Sequence, residues 1–116
     1  MEIQLREEHH LAVLSLKGRL DLASGATLKE HLKRLTARNI VQVHLNLAEV
    51  EFINSSGLGA LVSIMKEVRL QKGRLTLSNL VSYVQEIFEI TQLSHIFEIY
   101  STEEEALATY QIAVVR

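Results

Sequence analysis

Apolar and polar positions alternate from the start of the chain. Ile3 and Leu5 stand between Glu2, Gln4 and Arg6, and Leu11-Ala12-Val13-Leu14-Ser15-Leu16 follows the polar run Glu7-Glu8-His9-His10. This predicts a β-hairpin around a solvated turn, with Ala12, Leu14 and Leu16 sharing a face and Gly18 ending the second strand. From Asp21 the period changes. Leu28, Leu32 and Leu35 recur between Lys29, Glu30, Lys33 and Arg34, which predicts an amphipathic helix capped by Ser24 or Thr27 and ended by Asn39. Ile40 to Leu47 returns to period two, placing Val41, Val43, Leu45 and Leu47 on one face of a central strand.

A second helix is expected from Ser56, with Leu58, Leu61, Val62, Ile64, Met65 and Val68 inward, the basic Lys66, Arg69 and Lys72 near its end, and Gly73 as its C′ residue. Arg74 to Ser78 reads as a strand. Ser82 opens a helix with Val84, Ile87 and Phe88 inward, and Ile96 to Ile99 reads as the last strand. Ser101 with Glu104 fits a capping box for a final helix that buries Ala106, Leu107 and Tyr110. The order β-β-α-β-α-β-α-β-α predicts one α/β domain over residues 1–116. Its sheet is mixed but mostly parallel, with four to five strands, about four helices and an opening antiparallel hairpin. Function in such sheets lies in loops at the carboxyl ends of the strands, and the Val50 to Gly57 segment holds that position.

Composition narrows the function. A formal net charge of −2 argues against a nucleic-acid partner, which calls for a basic surface. Without cysteine there is no disulfide framework, thiolate metal site or cysteine nucleophile. The first residues do not resemble a signal peptide, and the apolar stretch from Gly57 to Met65 is too short to span a bilayer, so a cytoplasmic protein without membrane insertion is expected. His9 and His10 point to opposite faces if extended and lack further ligands at useful spacing, so no metal or other cofactor is expected. Catalysis is not expected either: Gly-x-Ser-x-Gly and Gly-x-x-x-x-Gly-Lys-Ser/Thr patterns are missing, and His44 offers no clear base for Ser55 or Ser56.

The chemistry concentrates in Asn54-Ser55-Ser56-Gly57-Leu58-Gly59. Short side-chain oxygens directly before small and apolar residues mark a helix N-terminus, and Gly57 and Gly59 remove side chains where the first turn would lie close to a neighbour.

These residues, with Leu45-Asn46-Leu47, Val50, Phe52-Ile53 and Gly18-Arg19-Leu20-Asp21, resemble the STAS domain family over essentially the whole chain. The similarity is to the small single-domain anti-sigma factor antagonists of bacteria. It implies a partner-switching regulator, monomeric when free. The unmodified form binds an anti-sigma factor that is also a serine kinase with a histidine-kinase-like ATP-binding fold. Phosphorylation of Ser55 releases it, and a PP2C-type phosphatase restores it. By the same resemblance Asn54, Ser55, Ser56, Gly57, Leu58 and Gly59 form the partner-binding surface, with Asp21 close by. One position departs from the family pattern: Asn54 stands where Asp is common. Asn keeps the cap but carries no charge, which leaves as the alternative a STAS subunit of a transporter-associated or signalling assembly not switched by phosphorylation.

Overall fold

The computed structural model describes residues 1–111. Its elements are β1 (Glu2–Glu8), β2 (Leu11–Leu20), α1 (Leu22–Ala37), β3 (Gln42–Ile53), α2 (Ser55–Leu70), β4 (Arg74–Ser78), α3 (Ser82–Ile90), β5 (Glu98–Tyr100) and α4 (Glu103–Gln111), with a 3-10 turn at Leu93–His95. The five strands lie in the order β1-β2-β3-β4-β5. The first pair is antiparallel and the rest are parallel. His9 and His10 both take positive φ, as a two-residue hairpin turn requires.

Strand alternation sorts the sheet into two faces. Ala12, Leu14, Leu16, Val43, Leu45, Leu47, Leu75 and Leu77 join the buried residues of α1, α2 and α3 in the main core. On the other face α4 covers a smaller cluster of Leu11, Val13 and Tyr110, and that layer is held largely by polar contacts. Tyr110 donates its hydroxyl to the Val43 carbonyl at 2.9 Å and lies 3.0 Å from Thr76 Oγ1. His44, fully buried, sits 2.7 Å from Thr76 Oγ1 through Nδ1 and 2.7 Å from Ser78 Oγ through Nε2. The Val43 carbonyl can only accept, so it takes the single Tyr110 proton. Thr76 therefore donates to Tyr110, His44 Nδ1–H donates to Thr76, and Ser78 donates to Nε2. One carbonyl thus fixes the imidazole tautomer.

Several boundaries differ from the sequence reading. β2 continues through Gly18 to Leu20 and β3 runs to Ile53, so the expected Val50 to Gly57 loop is strand through Ile53 and helix from Ser55, with Asn54 alone between them. α1 is capped by Asp21, not Ser24 or Thr27; Ser24 is its N3 residue in a reciprocal capping box. α2 ends with Lys72, not Gly73, in the left-handed conformation (φ 62°). The Lys72 and Gly73 N–H groups close onto the Arg69 and Val68 carbonyls, as in a Schellman motif. Gly73 is needed for a different reason: a Cβ there would collide with the Val41 backbone. The last strand starts at Glu98, after the 3-10 turn, and α4 is capped by Thr102, whose Oγ1 accepts the Glu105 N–H at 3.1 Å.

Candidate functional site: two helix N-termini at the ends of paired strands

Leu20 and Ile53 are the last paired residues of β2 and β3. The next residue of each strand is a helix cap. Asp21 caps α1 and Asn54 caps α2, so strand pairing brings two helix N-termini side by side. Two register shifts between β2 and β3 make this alignment. Asn46 Oδ1 accepts the Ala48 N–H at 2.9 Å and so supplies the hydrogen bond that the first irregularity takes from the ladder.

The caps are chemically similar. Asn54 Oδ1 accepts the Gly57 N–H at 2.9 Å, and the Asn54 carbonyl accepts the first helical bond from Leu58 at 2.9 Å. Asp21 Oδ1 accepts the Ser24 N–H at 3.2 Å, while Ser24 Oγ accepts the Asp21 N–H at 2.9 Å. The Ser24 N–H, helped by its hydroxyl, holds the Asp21 carboxyl below its ordinary pKa, so Asp21 stays ionised. The Asn54 N–H reaches the Leu20 carbonyl at 3.3 Å and ties the junctions together.

Ser55 and Ser56 occupy the first turn of α2 and are exposed. Among the described residues their N–H groups have no acceptor and their hydroxyls have no histidine or carboxylate partner. Free amides and the positive end of the helix dipole make this a position that accepts an anion. His44 lies on the opposite face of the sheet from α2, bound to Thr76 and Ser78. Burial pushes it down to about 4, so the ring is neutral near pH 7.

The two motif glycines have different roles. Gly57 is buried, and a Cβ on it would collide with the Leu20 carbonyl, so α2 can enter only if this position is bare. Gly59 is exposed and among the described residues a Cβ there would meet nothing within 4 Å, contrary to the expectation of a close neighbour. Leu58 is half-buried against the main core. Three further features escaped the sequence reading. Gly25 of α1 faces Ala60 of α2, where an added Cβ would lie 2.7 Å from that of Ala60, so the helices touch near their N-termini; an isolated glycine in a helical pattern was the available signal. Leu22, beside Asp21, is 75% exposed. The Arg19 guanidinium stacks 3.7 Å over the Phe52 ring at the strand ends.

Comparison with known proteins gives this arrangement its family. The STAS domain profile matches residues 2–106. The chain belongs to the STAS domain family. An anti-sigma-B factor antagonist of Listeria monocytogenes is 31% identical over 105 residues, covering 90% of this chain and 91% of that one. Among solved structures, the anti-sigma factor antagonist SpoIIAA in its unphosphorylated form matches with a TM-score of 0.75 at 23% identity, over 95% of this chain and 98% of its own. A sulfate transporter family protein from Wolinella succinogenes shares the fold with a TM-score of 0.83 at 15% identity, over 94% of this chain and 91% of its own. The chain is thus a STAS domain with anti-sigma factor antagonists among its relatives. No helix among the described residues is long and apolar enough to cross a membrane.

Proposed function

We propose that this protein is a partner-switching regulator of bacterial transcription. Its unmodified form binds an anti-sigma factor that is also a serine kinase, and a sigma factor is thereby freed. The observation that carries this reading is Ser55: an exposed hydroxyl on the first residue of α2, beside amides without partners. In the switching step Ser55 Oγ attacks the γ-phosphorus of ATP held by the kinase's histidine-kinase-like fold, ADP leaves, and the hydroxyl proton passes to the kinase. A PP2C-type phosphatase hydrolyses the ester and returns the hydroxyl. Asp21, Asn54, Ser56 and Gly59, with Leu58 behind them and Gly57 shaping the turn, make the contact surface.

The charge arithmetic supports a switch. A phosphoryl group adds about −1.5 to −2 charges at pH 7, which the N-terminus of α2 tolerates, so the fold survives. Within a desolvated interface the same charge, on the helix junction next to the one capped by ionised Asp21, costs several kcal/mol. Each ~1.4 kcal/mol is about tenfold in affinity, enough to part a transient complex.

Asn54 and the likeness to a transporter-family domain support one alternative, a STAS subunit held in a stable assembly without phosphorylation. Isolating the tagged protein from its native host and mapping phosphate by mass spectrometry separates the two. A single phosphate on Ser55, with a kinase-like partner enriched only on the unmodified form, is expected. Ser55→Ala should bind that partner permanently and Ser55→Asp weakly. Equal binding by wild type and Ser55→Asp, or a phosphate-free protein on a transporter, rejects the switch.

A further inference from the structure

β1 is an edge strand of seven residues with five of them exposed, including Leu5 at 43%. Among the described residues its outer row of N–H and C=O groups has no partner strand, and the other edge of the sheet, β5, is three residues long. Such an edge is a template for another strand. Side-chain alternation is settled by the contacts. Ile3 and Leu5 pair with Leu16 and Leu14 and lie on the α1 face, where Glu7 holds Arg38 at 2.8 Å. Glu2, Gln4 and Arg6 lie on the α4 face, where Arg6 reaches Glu103 at 2.9 Å.

Read in both directions, Glu2-Ile3-Gln4-Leu5-Arg6 is complementary to itself. We propose that the β1 edge pairs antiparallel with β1 of a second copy across a two-fold axis through Gln4. In that register Glu2 opposes Arg6 of the second copy and Arg6 opposes its Glu2. Ile3 and Leu5 oppose each other twice, forming a four-residue apolar cluster on the α1 face. Gln4 meets Gln4 on the axis. Because paired positions differ by an even number, residues whose backbone groups point outward meet residues that also point outward, as an antiparallel ladder requires. Other two-fold registers are poorer. An axis through Ile3 sets Glu2 against Gln4 and loses the ion pairs, one through Leu5 sets Glu2 against Glu8, and one through Arg6 sets that cation against its own copy. Arg6 uses Nε for Glu8 and Nη2 for Glu103, which leaves Nη1 for the second copy.

The pairing joins two five-stranded sheets into one of ten strands. β1 lies two strands away from β3, and the two-fold axis reverses strand direction. Each copy therefore keeps its Asn54 to Gly59 surface open, and the two surfaces face opposite ends of the joined sheet. The interface is small, so the association is weak and concentration-dependent, and the dilute chain is the monomer that the family resemblance implies.

Sedimentation of the full chain from about 10 μM to about 1 mM tests this. The mass should rise from 13.1 kDa toward twice that value. Glu2→Lys and Arg6→Glu each turn both cross-strand ion pairs into repulsions and should weaken association about tenfold. An equimolar mixture of the two variants should regain it, because each then supplies the charge that the other lacks. Leu5→Asn, at a position exposed in the single copy, should also weaken it, which keeps the test available if Arg6→Glu unfolds. Three results each overturn the proposal: a mass of 13.1 kDa at every concentration, association indifferent to these substitutions, or no recovery in the mixture.

Discussion

The Leu20 carbonyl occupies the space that a side chain on Gly57 would need. This contact sets the height at which α2 meets the β2–α1 junction. It therefore fixes how close the Asn54 and Asp21 caps stand, and with them the surface around Ser55.

Gly57→Ala should be among the most damaging small substitutions in the chain. The clash is with backbone on a buried strand end, so neither partner can yield by changing rotamer. A loss of about 3 kcal/mol is expected, the upper range for overpacking. Urea unfolding of wild type and variant checks it, and a change below about 0.5 kcal/mol would mean that the helix entry adjusts freely.

Gly59→Ala should behave oppositely. The position is exposed and helical, and the space that an alanine methyl would fill is open, so alanine should stabilise by about 0.5–1 kcal/mol through reduced chain entropy and better helix propensity. If the bare backbone here is part of the partner surface, the same variant should bind the kinase-like partner more weakly. Calorimetric titration alongside thermal unfolding reads both. Higher stability with unchanged affinity removes Gly59 from the interface.

The alternation and helical periods placed every major element, because each strand and helix buries one face and sequence spacing reports that directly. The junctions were harder to read. β3 continues to Ile53 because Asn46 and the irregular pairing with β2 carry the ladder past Ala48, an arrangement made by a side chain and a neighbouring strand. Gly25 against Ala60 is a contact between two helices, visible locally only as a glycine in an unexpected place. The motif itself was legible, since Asn54 to Gly59 form a local cap and first turn. The difference between Gly57 and Gly59 was not, because it depends on where Leu20 lies.

Asn54→Asp restores the residue common in the family. The carboxylate keeps the cap on the Gly57 N–H and adds charge at the positive end of α2, for a gain of about 0.3–1 kcal/mol. A carboxyl stabilised in this way has a folded pKa below its unfolded value. The gain is therefore present above about pH 4 and disappears as pH falls through the folded value. If a charge beside Ser55 assists phosphoryl transfer, the variant should also incorporate phosphate faster with the kinase-like partner, as read on a phosphate-affinity gel. Equal rates would show that Asn54 serves as well as the family's Asp.

The polar layer beneath α4 makes stability depend on pH through His44. Its folded pKa is about 4, lowered chiefly by burial, against about 6.5 in the unfolded chain. Between these values the unfolded state binds a proton that the folded state refuses, so stability falls as pH drops from about 6.5 to about 4 and then levels off. Glu103 on α4 opposes the shift and Arg6 on β1 adds to it. The full loss is about 3 kcal/mol. Asp21, Glu7, Glu98 and Glu103 all have lowered carboxyl pKa values, so their contributions are lost below about pH 4.5 and leave the upper part of the window to histidine. Urea unfolding at pH 7, 6 and 5 should show a slope that disappears in His44→Gln, which retains one donor and one acceptor for Thr76 and Ser78. A slope that survives the substitution places the proton uptake on another group.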